Sequence, residues 1–323
     1  MPIHLLRRAC FGGWLLARAT VVTAAPQATE PAAPKTTVIR RAEATPDARG
    51  SAAPAEAASE HRLTWRWSRF SVLDYASTAV FGGAYLYLET TVVGVREPNW
   101  RGGILFDDAV RSALRGRTRG LRESSGAISD YLTLAPQGMM VIDSVAIPLF
   151  TDRWNYDVAW QMTLIMLQAE AITGLLSRFG HRYIGRERPD VEECRKDPEY
   201  HHLCFGGSNA SFPSGHTSGA FVGAGVVCAH HTHLPLYGGG APDIAACAVN
   251  LTMATASSVL RLIADRHYLT DNLVGAAIGL GAGWGLPLLL HYRGGTSAAN
   301  EPQVAILPMG DPQTLGISAA GVF

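Results

Sequence analysis

Six long apolar runs, separated by short polar links, fill the chain from Arg69 onward: 70–94, 128–150, 158–179, 214–229, 244–264 and 272–292. Most approach the length that crosses a bilayer, and each predicts a helix. Small residues are frequent in them, as in membrane helices that pack closely. Several runs carry acids, namely Asp74, Glu89, Asp130, Asp143 and Glu170. An acid is costly in lipid unless it faces the interior of a bundle. Length favours membrane spans, and a helical globular protein with buried helices is the competing reading. The expected fold class is all-α, a bundle of about six core helices. The run at 70–94, with two acids, is the weakest span.

The segment 96–127 is patterned differently. Apolar residues at 104, 105, 109, 110 and 114 suit an amphipathic helix, and seven arginines lie between Arg96 and Arg122. Such a helix lies across the bundle or at a membrane surface. The tail, 294–323, has short strand-like stretches at 304–307 and 315–318, separated by 308–312, and predicts a small hairpin. At the other end, Arg7 and Arg8 precede an apolar stretch and Thr23-Ala24-Ala25. That is the outline of a signal peptide over 1–25, although Arg18 interrupts it. Residues 26–64 are rich in Ala and Pro without hydrophobic period, and read as a disordered linker. The organisation expected is therefore a leader (1–25), a linker (26–64), a helical domain (65–293) and a strand-like tail (294–323).

Composition narrows the class. The 323 residues are 47% hydrophobic and 17% charged, with zero formal net charge. A neutral chain is a poor partner for nucleic acid. The five cysteines form no CxxC pair, so a zinc or iron–sulfur site is not indicated. Cys194 and Cys204 share a polar loop and can bridge in an oxidising compartment. Cys228 and Cys247 sit in apolar runs and read as small core residues.

Three short blocks carry the chemistry. Arg188-Pro189 follows the third run. Pro213-Ser214-Gly215-His216 opens the fourth. Arg261, five residues, His267, three residues and Asp271 join the fifth to the sixth. Arginine binds a tetrahedral oxyanion through several donors. Ser214 suits an N-cap, Gly215 lets backbone approach a ligand, and a helix start offers free N–H groups to phosphate. His216 sits on that first turn, placed for proton transfer. His267 and Asp271 are one helical turn apart, so the carboxylate can reach the imidazole. His181 precedes Arg188 by two turns and can face the same point. Each block alone is weak; their order and placement at helix ends point to one phosphate-transfer site without metal.

At these residues the chain resembles the type 2 phosphatidic acid phosphatase (PAP2) superfamily, which includes bacterial acid phosphatases and vanadium haloperoxidases. The family signature reads Lys-x6-Arg-Pro, Pro-Ser-Gly-His and Ser-Arg-x5-His-x3-Asp, and the likeness spans about 128–292. It implies that His267 is the nucleophile, that Asp271 orients it, and that His216 protonates the leaving group. Arg188 and Arg261 would hold the phosphoryl oxygens, with Ser214 and Gly215 adding donors. No metal or cofactor is implied. Two positions depart from the signature: His181, with Arg182 beside it, stands for the lysine, and Leu260 for the serine.

The resemblance implies a phosphatase acting on a phosphate monoester or diphosphate, foremost a lipid phosphate. The expected placement is a bacterial cell envelope, with the site on the periplasmic side. A cleaved leader and six spans would instead turn the site toward the cytoplasm, and the arginines of 96–122 sharpen that conflict. The alternatives are a soluble periplasmic acid phosphatase, a vanadium haloperoxidase, and a non-catalytic membrane scaffold.

Overall fold

A helix rich in small residues occupies the centre of the protein. In the computed structural model, which describes residues 62–202, 204, 209–293 and the backbone of 303–311 and 314–322, this is α6, Gly215–His233. The helices in chain order are α1 (Val72–Thr90), α2 (Asp107–Leu114), α3 (Arg119–Val141), α4 (Tyr156–Phe179), α5 (Asp190–Lys196), α6, α7 (Ala241–Ile263), α8 (Leu269–Leu280) and α9 (Leu286–Leu290). Three helices run on as wider π-helical turns: α3 through Ile142–Thr151, α4 through Gly180–Ile184, and α8 through Gly281–Gly285 into α9. The fold class is all-α, as the apolar runs predict. Residues 1–61 and 294–302, which hold the expected leader, most of the linker and the start of the tail, lie outside the described residues.

Helix α6 packs against α3, α4, α7 and α8. Fourteen of its nineteen residues are buried, among them Gly219, Ala220, Gly223, Ala224 and Gly225. Small side chains are what let backbones approach this closely. On α8 and its continuation, Gly275, Gly279 and Gly283 recur every four residues and press on α6. A Cβ at Gly279 would stand 2.5 Å from the Ser218 carbonyl oxygen, and one at Gly283 2.4 Å from that of Val222. On the opposite side, a Cβ at Gly223 would stand 2.7 Å from the backbone of Pro136 on α3.

The acids that weigh against membrane burial mostly have partners. Asp74 closes a capping box with Ser71 at the start of α1. Glu89 pairs with Arg178 at 2.6 Å. Asp143 accepts from Tyr237 Oη at 2.6 Å and lies 3.2 Å from His231 Nε2. Three stretches, Arg119–Thr151, Ala241–Ile263 and Leu269–Leu290, are long and apolar enough to cross a membrane. Large apolar side chains stand exposed on several helices, including Leu73 and Val80 on α1, Tyr131 on α3 and Ile244 on α7.

Three expectations change, and one, the Cys194–Cys204 bridge, is met. Cys228 and Cys247 are not free core thiols; they form a disulfide that ties α6 to α7, with Cα atoms 4.5 Å apart. The reason is tertiary: α6 and α7 are packed side by side, a relation invisible from two separate apolar runs. Cys194–Cys204 is also bridged, with Cα atoms 5.6 Å apart. The amphipathic helix begins only at Asp107, so Ile104 and Leu105 precede it and stand exposed, while Asp107 is the buried residue. The hairpin pairs Gln303–Asp311 antiparallel with Thr314–Val322. Its strands extend through Pro308, a residue that an edge strand tolerates.

The α6–α8 contact generates a testable contrast. Gly283→Ala drives a methyl into the Val222 carbonyl and is expected to cost about 1–3 kcal/mol. Gly281→Ala, with open space around its Cβ position, is expected to be neutral or to stabilise by about 0.5 kcal/mol. Thermal unfolding midpoints of the two variants check the ordering.

Candidate active site

Four segments converge at one end of α6. They are the link after α4 (residues 185–189), the turn 211–216, the end of α7 with the 264–268 loop, and the first turn of α8. Asp265 in that loop holds a left-handed conformation, φ 58°. It accepts two bonds from Arg111 at 2.7 Å each and one from Tyr200 Oη at 2.9 Å. Asp tolerates this conformation better than most residues. The pinned turn sets the direction of Arg266 and His267.

His267 is buried. Its Nδ1 lies 2.8 Å from the Ser211 carbonyl oxygen. A carbonyl only accepts, so Nδ1 carries the hydrogen and Nε2 keeps its lone pair. Nε2 is buried and has no hydrogen-bond partner among the described residues. Burial pushes the His267 pKa well below its usual value, and positive charge at Arg188, His216 and Arg261 adds to the effect. The imidazole is thus neutral.

Asp271 acts at one remove from His267. The closest approach, Nδ1 to Oδ2, is 3.8 Å, beyond hydrogen-bond distance. Its carboxylate instead accepts from Arg186 Nη1 and Ser211 Oγ at 2.6 Å each, and from the Tyr268 N–H at 2.9 Å. The direct His267–Asp271 bond expected from their spacing is replaced by the Ser211 carbonyl. Ser211 faces both, because the turn before α6 is threaded between them.

His216 sits on the first turn of α6, its ring centre 6.4 Å from that of His267. Its Nε2 is 3.2 Å from Asp130 Oδ1, and Arg261 pairs with the same oxygen. Arg261 is buried, and its Nε has no partner among the described residues. Arg188 donates to the Arg266 carbonyl at 3.4 Å. Burial lowers the Arg188 pKa to about 9, so it is still a cation at neutral pH. Arg266 in turn pairs with buried Asp190 at 2.6 Å. Beside Asp130 and Arg261 lies a cavity of about 90 Å³, lined also by Glu123, His201, His202 and Arg266.

The structure therefore gathers His216, His267, Asp271, Arg188 and Arg261. Ser214 and His181 are present but otherwise engaged. Ser214 Oγ donates to Thr217 Oγ1 at 3.0 Å and caps α6, while its N–H donates to the Asp271 carbonyl at 3.0 Å. The first-turn N–H groups of Gly215 and His216 are left without an intrahelical acceptor. His181 Nε2 lies 2.8 Å from the Pro213 carbonyl oxygen, so its one N–H is spent on the turn. Burial drops its pKa to about 3, which leaves no charge to replace an ammonium. His181 also packs on Gly215, where an added Cβ would meet its Cε1 at 3.3 Å. Arg182 does not substitute for it. Its guanidinium points to the carbonyls of Leu88 and Glu89 at the end of α1. Ser257 and Ser258 bond α3 and α6 rather than standing in for the missing serine.

Arg186, Asp107 and Ser211 are the residues that sequence reasoning misses. The Arg186 side chain is 0% exposed and pairs with Asp271 at 2.6 Å and Asp107 at 2.8 Å. Its guanidinium lies between two rings, 4.0 Å from the centre of Trp100 and 4.1 Å from that of Tyr268. The only sequence signal is its place two residues before Arg188, in an extended stretch where both can point one way.

Comparison with known families finds one match. The model of the PAP2 superfamily matches residues 159–294, which contain all five gathered residues but neither Asp130 nor Asp107. The segment 159–294 is a PAP2-superfamily segment. No curated protein and no solved structure matches it. PAP2 membership sets the general class of function as phosphatase or haloperoxidase type. It also places α1, α2 and α3, with Asp130, ahead of the matched PAP2 segment.

Arg186 yields a stability prediction. Arg186→Met leaves Asp107 and Asp271 buried without their cation, a change that typically costs about 3–5 kcal/mol. Denaturant unfolding should show a loss in that range; a loss under about 1 kcal/mol would contradict the buried pairing.

Proposed function

We propose that this protein is a metal-independent phosphatase that cleaves a phosphate monoester or diphosphate, foremost a lipid phosphate, through a phosphohistidine. One observation carries the reading. The Ser211 carbonyl fixes the His267 tautomer, so a buried, unpartnered Nε2 lone pair stands among Arg188, Arg261 and His216. Nε2 attacks phosphorus, forming the P–N bond as the P–O bond to the leaving group breaks. His216 gives its proton to the departing oxygen. Water then attacks phosphorus, His216 takes a proton from it, and the P–N bond breaks to release orthophosphate. Arg188, Arg261 and the N–H groups of Gly215 and His216 stabilise the equatorial oxygens. Asp271, held by Arg186 and Ser211, supports the positive charge that the His267 ring carries in the intermediate.

Exposed apolar residues favour a lipid substrate. Ile104, Leu105 and Phe106 lead directly into Asp107, which binds Arg186 behind the site. Three stretches suited to a bilayer support placement in a cell envelope. The Cys194–Cys204 disulfide lies in the link between Arg188 and Ser211, so it favours an oxidising, periplasmic side for the site. A second reading, a soluble periplasmic phosphatase, is favoured by Cys228–Cys247. This bridge lies twelve residues past His216, about 18 Å along α6. A bilayer would shield it from periplasmic oxidants. Release by osmotic shock without detergent identifies the soluble form. Haloperoxidase chemistry is disfavoured because His181 brings no charge to an oxyanion.

Purified protein is expected to hydrolyse an aryl phosphate in the presence of EDTA, and vanadate should inhibit it. His267→Ala should lower kcat by at least about a thousandfold; equal activity would refute the reading. The nucleophile needs neutral His267, whose pKa is already low, whereas the leaving group needs protonated His216, whose pKa burial holds below its usual value. kcat/KM is therefore expected to rise as the pH is lowered from 8 toward 5. A rate that rises with pH over that range would exclude His216 as the acid.

A further inference from the structure

Asp130 lies on α3, outside the segment matched by the family model and outside the three motif blocks. One of its carboxylate oxygens serves two partners. Oδ1 is 3.2 Å from His216 Nε2 and is also the acceptor for Arg261 Nη2. The side chain is 56% exposed, at the wall of the cavity that opens beside Arg261 and Arg266. A carboxylate placed there does no work for the core, since it is only half buried and α3 is anchored elsewhere by Ser129, Thr133 and Ser257.

We infer that Asp130 is the positioning residue of the general acid: it anchors the Nε2–H of His216 and holds Arg261 in the same grip. The inference rests on the phosphohistidine reading and deepens it. An ionised carboxylate accepts only, so Nε2 is the donor in this contact. The proton exchanged with the leaving oxygen then belongs to the other ring nitrogen, Nδ1. A carboxylate that binds one nitrogen of an imidazole fixes the ring and favours its cationic form. His216 needs that help. The groups that face it are Asp130 from α3, Arg261 from α7, Arg188 from the link after α4, His181 from the end of α4, and His267 from the 264–268 loop. Two are guanidinium cations, and Asp130 is the single carboxylate among them. Burial and the two guanidinium charges already lower the His216 pKa to about 4 with Asp130 in place, and without that carboxylate the imidazole would hold a proton still less readily. With Arg261 on the same oxygen, the acid and one phosphate-holding arginine share a fixed relative position.

Asp130→Asn tests this directly, because it keeps shape and an acceptor but removes the charge. An opposite charge at this distance shifts a pKa by about 1–3 units, and exposure places Asp130 near the low end. The descending alkaline limb of the kcat/KM profile should therefore move about one pH unit lower in Asp130→Asn, and Asp130→Glu should restore it at least in part. The His216 ring can be followed independently in the His267→Ala background, where turnover is absent. In ¹⁵N-histidine NMR its titration midpoint should drop by a similar interval when Asp130→Asn is added. A midpoint and a limb that stay in place would overturn the inference while leaving the phosphatase reading intact. Full activity in His267→Ala would instead remove that reading. A lower unfolding temperature with an unmoved limb would assign Asp130 a merely structural role and likewise overturn the inference.

Discussion

A single buried guanidinium holds together the end of the bundle that carries the candidate site. Arg186 is closed off from solvent, ionised carboxylates flank it, and aromatic rings cover both of its faces. Burying three charged groups is expensive, and the ion pairs at both Nη atoms offset that cost, while Nε has no hydrogen-bond partner among the described residues. Once paired, the arrangement has few alternatives. Asp107 fixes the start of α2 and also accepts from the Thr270 N–H and hydroxyl. Asp271 fixes the first turn of α8 and, through Ser211, the strand of chain that enters α6. Helix starts from distant parts of the chain are thereby locked to one point.

The small-residue helix α6 makes that point useful. Close approach of α8 through Gly275, Gly279 and Gly283 brings the Asp271 end of α8 beside the Ser214 end of α6. The backbone bond from Ser214 N–H to the Asp271 carbonyl closes the junction. Reactive groups then sit on short, doubly anchored turns rather than on loose loops. That is the setting in which an imidazole can be held in one tautomer and an arginine in one direction. The tautomer of His267, the proposed nucleophile, is set by the Ser211 carbonyl, and Asp271 stands behind that contact.

Periodicity and punctuation made much of this legible in the sequence. Apolar runs of bilayer length became the long helices, because such runs have few other ways to satisfy their backbone. The motif residues His216, His267, Arg188, Arg261 and Asp271 did converge, since each lies at the end of a run and the ends gather on one side. What escaped was tertiary in origin. Nothing local joins Arg186 to Asp107 or Asp130 to His216, which are separated by 79 and 86 positions. His181 has the right spacing to face the site, but its N–H is captured by a carbonyl that only the folded turn supplies. Cys228 and Cys247 look like filler in two apolar runs until packing puts them face to face. The hydrophobic count at 104–114 also misjudged where α2 begins, because buried Asp107 and not an apolar residue anchors it.

The account stands or falls on which atom receives the phosphoryl group. Rapid quenching with an isotopically labelled phosphate ester, followed by peptide mapping under alkaline conditions that preserve phosphoramidates, locates it. The label is expected on His267 alone, at Nε2, with the adduct labile to acid. Label on His216, on a carboxylate, or on no residue during steady turnover would contradict the mechanism.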